Sequence, residues 1–207
     1  MDIKLNYSNT LTIARIVFIP FFLVFLFSKM HYGGAVALVI FVVASLTDWY
    51  DGRLARERNE VTEFGKFLDP IADKLLVFSA FISFIQLELV PTWMIIVMIG
   101  REFLITSLRM VAMSNNNKVL PAEKSGKHKT AWHITTIIVI LVIIASQNIF
   151  DWKTLLESKG SDGIFLATFI INKIPYIMTV ICVAYSIYSA YDFIEKNGRY
   201  FFEKSSR

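Results

Sequence analysis

Charged residues are missing from long tracts of the chain, and those gaps define its elements. Met30–Thr47 runs 18 residues without a charge, Thr130–Phe150 runs 21 and Ile174–Tyr191 runs 18, while Ile16–Ser28 adds thirteen after Arg15. A helix rises 1.5 Å per residue, so about 20 residues cross a hydrocarbon core of ~30 Å. Leu75–Leu87 and Leu89–Gly100 are shorter. They reach spanning length only by taking in Leu68–Lys74 and Arg101–Leu108, which sets Asp69, Asp73, Arg101 and Glu102 within or beside spanning helices. Ionisable groups at that depth are costly and mark function. The pattern predicts six helices, about Leu11–Ser28, Gly34–Arg56, Phe67–Leu87, Pro91–Met113, Lys129–Ser146 and Ile174–Glu195. Pro91 suits a helix start, Gly33-Gly34 a turn, and the period-two alternation of a membrane barrel is absent. Gly163–Ile171 is too short to span and reads as an interfacial piece, with Asn172–Pro175 as a break before the last helix.

Composition agrees. Of 207 residues, 55% are hydrophobic and 18% charged, against about 45–50% and ~25% in soluble domains. Disorder is excluded, and one cysteine, Cys182, excludes an intramolecular disulfide or a zinc site built on cysteine pairs. One embedded domain over residues 1–207 is expected, with a short arm at 1–8, a polar or interfacial segment at 147–173 and a tail at 196–207. Arg15 interrupts the first apolar run and no small-x-small site follows promptly, so that run reads as a permanent helix. Most of the 21 Lys and Arg fall in the N-terminus, the Arg53–Lys74 turn, the Arg109–Lys129 connection and the tail. Positive charge stays on the cytoplasmic side, so both termini are expected there, in a bacterial-type cytoplasmic membrane. The net charge of +4 then reports topology, and no nucleic-acid-binding module is visible.

One acidic cluster breaks the apolar pattern. Asp48 and Asp51 are three apart, Asp69 and Asp73 four apart, so each pair shares a helix face. A short linker between the second and third helices suggests a hairpin that brings the four carboxylates together. Such neighbours do not all ionise without bound cations, and hard divalent ions prefer oxygen ligands and recruit phosphates. Acids solvated or paired with Arg53, Arg56, Arg58 and Lys74 are the bland alternative. Small Gly52, Ala55 and Gly65 between two pairs favour a metal-dependent phosphate site. The residues alone do not specify a reaction.

Asp48-x2-Asp51-Gly52-x2-Ala55-Arg56-x8-Gly65-x3-Asp69-x3-Asp73 resembles the complete signature of the CDP-alcohol phosphatidyltransferases. Asn9-x2-Thr12-x2-Arg15, Leu68–Lys74, Arg101-Glu102-Phe103-x-Ile105-Thr106-x-Leu108-Arg109 and Gly126-Lys127-x-Lys129-Thr130 resemble its phosphatidylglycerophosphate synthase branch. His133 departs from the Gln of that branch, and nothing after Phe150 carries a motif.

The resemblance implies an all-α polytopic membrane protein, usually a homodimer, with six transmembrane helices around a polar cavity open to the cytoplasm. It implies CDP-diacylglycerol and glycerol 3-phosphate as substrates and CMP as the leaving group. Asp48, Asp51, Asp69 and Asp73 would hold two Mg²⁺ or Mn²⁺ ions, with Asp73 as general base. Gly52, Ala55, Arg56 and Gly65, joined by Asn9 and Thr12, would line the CDP-lipid site.

A phosphorylated acceptor needs further cations, for which Arg109, Lys127 and Lys129 are the candidates, with Arg101 behind them. Their bland reading is topology and contact with anionic membrane lipids. Glu102 is read as orienting Arg101 or Arg109, or neutralising one of them. Three alternatives remain: a cardiolipin synthase or other family member with another acceptor, a Mg²⁺-dependent membrane prenyltransferase, and a cation transporter.

Overall fold

The computed structural model describes residues 7–58, 63–116, 124–149, 163, 165 and 168–202, and side chains within 13–47, 74–110, 126, 128–147, 149, 163, 165 and 168–197. Six long α-helices fill the described chain: α1 (Tyr7–Phe27), α2 (Gly33–Arg58), α3 (Glu63–Gln86), α4 (Thr92–Asn116), α5 (Lys124–Ile149) and α6 (Ile174–Phe202). No strand occurs among the described residues. The charge gaps therefore locate every helix to within a few residues. The largest differences are at ends where charged turns stay helical, as at Lys124–His128 and at the end of α6, which runs seven residues past Glu195 to Phe202.

Two short connections fix the helix directions. Between α1 and α2 the Gly33 N–H donates to Met30 O at 2.9 Å. A Cβ on Gly33 would lie 2.7 Å from Phe25 O and 2.4 Å from Ser28 Oγ, so this turn closes only without a side chain. After α3, Leu89 N–H donates to Phe84 O and Glu88 N–H to Ile85 O, with Glu88 at φ 57°. This is a Schellman cap whose left-handed position carries Glu instead of the usual Gly.

The expected break at Asn172–Pro175 is not there. Phe169–Lys173 forms a π-helical turn that runs straight into α6, with Ile174 N–H donating to Phe169 O. Pro175 has no N–H to give and its ring crowds the carbonyl four residues back, so one wider turn carries the chain into α6 without ending it.

α1 packs on α2 and α3, α2 also on α5, and α6 on α4 and α5. Phe22, Phe41, Phe81, Phe84, Met94, Ile137, Ile140 and Leu141 fill the centre, while Ala37, Ala44 and Ala80 let backbones approach. Large apolar side chains cover the outside as well: Val24, Ile96, Phe103, Met110 and Tyr191 are each about two-thirds exposed. Burial in the core accounts for the first set only. The outer set forms bands of a kind that mark a membrane or protein partner. His128–Gln147 and Phe169–Asn197 are long and apolar enough to cross a membrane. Trp93 and Trp132 are exposed, and Tyr188 and Tyr191 point outward from α6 while Tyr185 is half-buried.

Candidate active site

The polar centre is assembled around one carboxylate. Glu102 lies in the middle of α4, and its Oε1 is 3.4 Å from the Lys74 Nζ of α3. Its Oε2 is 3.2 Å from Arg101 Nη1 and accepts from the Lys129 Nζ of α5. Lys74 also donates to Thr106 Oγ1 at 2.8 Å, one helical turn beyond Glu102. Arg101 turns its other donors to α6: Nε to Ser186 O at 3.3 Å and Nη2 to Ser189 Oγ at 2.8 Å. Three cations thus share one anion, and the cluster joins α3, α4, α5 and α6.

Burial makes this imbalance matter. Lys129 is 5% exposed, and Arg101 and Glu102 are largely enclosed. A buried charge requires a partner, and a single carboxylate cannot neutralise three cations. Among the described residues this arrangement has two positive charges in excess and is chemically suited to an anion such as a phosphate.

A second layer lies behind it. His133 is buried against the edge of Phe81, with ring centroids 5.7 Å apart, and its Nε2 is 3.2 Å from Ser186 Oγ. Ser186 accepts from Arg101 through its carbonyl, so His133 supports the Arg101 anchorage by packing. Thr136 Oγ1 lies 3.0 Å from Cys182 Sγ, completing a polar seam between α5 and α6. Cys182 is therefore core material.

Of the residues proposed for the acceptor phosphate, Arg101 and Lys129 are brought together through Glu102. Arg109 lies two turns further along α4, its guanidinium 5.7 Å from the centre of the buried Phe193 ring. Its Nε is buried and has no hydrogen-bond partner among the described residues. Glu102 thus takes Arg101, with Lys74 and Lys129, as its partners. The Lys127 side chain lies outside the described residues, as do those of Asn9, Thr12, Asp48, Asp51, Gly52, Ala55, Arg56, Gly65, Asp69 and Asp73.

The backbone of these signature positions is described. Asp48 to Arg56 lie in the last part of α2, and Gly65 to Asp73 in the first part of α3. Both helices pack on α1, and Asp73 immediately precedes Lys74 of the cluster. The contribution of α6 was missed in sequence. Ser186, Ser189 and Phe193 carry no motif, although two serines three apart in an apolar helix signal a polar facing neighbour.

A family model for CDP-alcohol phosphatidyltransferases matches residues 5–160, which contain the acidic signature and three of the four helices that form the cationic cluster. The chain belongs to the CDP-alcohol phosphatidyltransferase family, a class of enzymes. A Bacillus subtilis (strain 168) relative is 41% identical over 149 residues, covering 66% of this chain and 77% of its own. One from Wigglesworthia glossinidia brevipalpis is 36% identical over 156 residues, 69% of this chain and 85% of its own. One from Rickettsia bellii (strain RML369-C) is 32% identical over 205 residues, 97% of this chain and all of its own. Each of the three is named CDP-diacylglycerol–glycerol-3-phosphate 3-phosphatidyltransferase.

Proposed function

We propose that the protein transfers the phosphatidyl group of CDP-diacylglycerol to glycerol 3-phosphate, releasing CMP and forming phosphatidylglycerophosphate for phospholipid biosynthesis. The observation that carries this reading is the cationic excess of Lys74, Arg101 and Lys129 over Glu102, directly after Asp73 in the signature helix. An acceptor that already bears a phosphate fits that charge, and a neutral alcohol does not need it. Similarity to relatives named for this reaction runs nearly the length of the chain.

The donor set fits a divalent metal. Asp48 and Asp51 on α2, with Asp69 and Asp73 on α3, offer hard oxygen ligands from two helices separated by four residues in sequence. Two Mg²⁺ or Mn²⁺ ions held by these four residues would neutralise the CDP diphosphate and the charge developing on the leaving group. The chain's own groups do the remainder. Gly52, Ala55, Arg56 and Gly65, with Asn9 and Thr12, bind the CDP-lipid. Lys127, Lys129 and Arg109, backed by Arg101, orient the acceptor through its phosphate.

Asp73 accepts the proton of the acceptor's primary hydroxyl as its oxygen bonds to the phosphorus that carries diacylglycerol. The bond from that phosphorus to the CMP oxygen breaks on the opposite side, and CMP leaves with the electron pair.

The reading places the protein in a bacterial-type cytoplasmic membrane, crossed six times, with both termini and the polar cavity on the cytoplasmic side. The exposed apolar bands on the helices support it, as does the pairing of the ionisable groups at mid-helix. A homodimer follows the family resemblance.

CMP release from CDP-diacylglycerol by the purified protein, measured across a panel of alcohols, tests the assignment. Glycerol 3-phosphate is expected to be the preferred acceptor. Preference for phosphatidylglycerol, inositol or serine would overturn it. In the same assay Arg109→Ala is expected to raise the KM for glycerol 3-phosphate by about 10-fold or more, the loss of one charge-assisted contact. An unchanged KM would leave Arg109 with its contact to Phe193 and a role in topology.

A further inference from the structure

We propose that Glu102 is a positioning residue for the transfer: it fixes the acceptor-phosphate cations against the turn of α3 that ends in Asp73. The proposal rests on the function proposed above and adds a residue that neither binds phosphate nor exchanges a proton. An anion in a phosphate site is unfavourable unless it serves the cations around it, and Glu102 contacts three of them from three different helices.

The division of its oxygens shows how. Oε1 faces Lys74, the residue after Asp73, and Oε2 takes Lys129 of α5 and Arg101 of α4. Lys74 is gripped at two points one turn apart on α4, Glu102 and Thr106. The turn of α3 carrying Asp73 is thereby registered against α4. The same carboxylate fixes the ammonium of Lys129, so the distance between the phosphate-binding side and the proton-accepting side is set through one group. Arg101 anchors that group to α6 through Ser186 and Ser189.

Without the carboxylate, three cations would repel one another in a partly dry site and move apart. The cationic charge that attracts phosphate would remain, whereas its placement relative to Asp73 would not. Displacement of about 1 Å in a transfer site costs up to ~10²-fold in rate.

The test is kinetic, on the intact chain in detergent. Glu102→Gln is expected to lower kcat by about 10–100-fold per folded molecule, with the KM for glycerol 3-phosphate rising no more than about threefold. Lys129→Met, which removes a binding cation, is expected to raise that KM. Thermal stabilisation by CDP-diacylglycerol, which reports the other half of the site, is expected to survive in Glu102→Gln, and Glu102→Asp, which retains the charge, to recover part of kcat. A wild-type kcat per folded molecule in Glu102→Gln overturns the proposal, because a purely structural role changes only the folded fraction. If Glu102→Gln does not fold, Glu102→Asp carries the test: a lowered kcat at preserved KM supports positioning, and a wild-type kcat overturns it. Turnover of glycerol 3-phosphate by the unsubstituted protein is read separately, so failure of the proposed reaction is distinguished from failure of the Glu102 assignment.

Discussion

Asp73→Asn is expected to lower kcat by about 10²–10⁴-fold, the usual contribution of a positioned general base, while binding of CDP-diacylglycerol persists. Asparagine matches aspartate in size and shape but cannot take a proton from the acceptor hydroxyl at neutral pH. The turn of α3 is independently secured, since the adjacent Lys74 donates to Thr106 Oγ1 at 2.8 Å and pairs with Glu102. Collapse of the site is therefore not the expected cause of the loss. Three carboxylates, Asp48, Asp51 and Asp69, remain to serve the diphosphate. The measurements are single-turnover CMP release and the thermal shift produced by CDP-diacylglycerol with Mg²⁺. If the thermal shift disappears along with turnover, Asp73 is mainly a ligand and the base lies elsewhere.

The contrast between Asp73 and Glu102 shows what the chain discloses before folding. Both are acids at the edge of apolar runs, and both stand out for the same reason: a carboxylate there is too costly to be incidental. Asp73 could be given a role because its spacing to Asp69, Gly65 and Asp48 forms a pattern along the sequence. Glu102 could be read only against Arg101 and Arg109 of its own helix, because its other partners lie 28 residues before it and 27 after it, on other helices. Helical periodicity says which residues share a face and is silent on which face of another helix they meet.

The same limit explains α6. Its apolar span was legible from the missing charges, whereas its continuation past Glu195 to Phe202 and its contribution to the site, through Ser186, Ser189 and Phe193, were not. The π-helical turn at Phe169–Lys173 was hidden for a local reason. The Asn172-Lys173-Ile174-Pro175 stretch reads as a breaker, and only the backbone shows that one widened turn absorbs the proline.

Removing divalent cations with a chelator is expected to lower turnover by about 10³-fold or more, since metal stabilisation of developing phosphate charge is worth several kcal/mol. Mg²⁺ or Mn²⁺ should restore it. The reasoning starts from repulsion among the acids. Asp48 and Asp51 are one turn apart near the end of α2, and Asp69 and Asp73 one turn apart near the start of α3. Four ionised carboxylates on two adjoining helix ends are unfavourable unless positive charge is placed among them. The Lys74 ammonium does not fill that need, because Thr106 and Glu102 already engage it. On the proposed function the basic cluster and the acidic signature form two electrically distinct halves: one in cationic excess among the described residues, suited to the acceptor's phosphate, the other anionic and suited to a metal-bound diphosphate.

Two further results follow from that division. Cation alone should raise the melting temperature, by an amount equivalent to about 2.7 kcal/mol at a hundred times its dissociation constant. Asp48→Asn or Asp69→Asn should shift the Mg²⁺ midpoint upward, whereas Arg109→Ala should leave it in place. Full turnover in excess chelator, or a Mg²⁺ midpoint unmoved by both aspartate substitutions, would separate the acidic signature from metal binding and require another source of charge for the departing CMP.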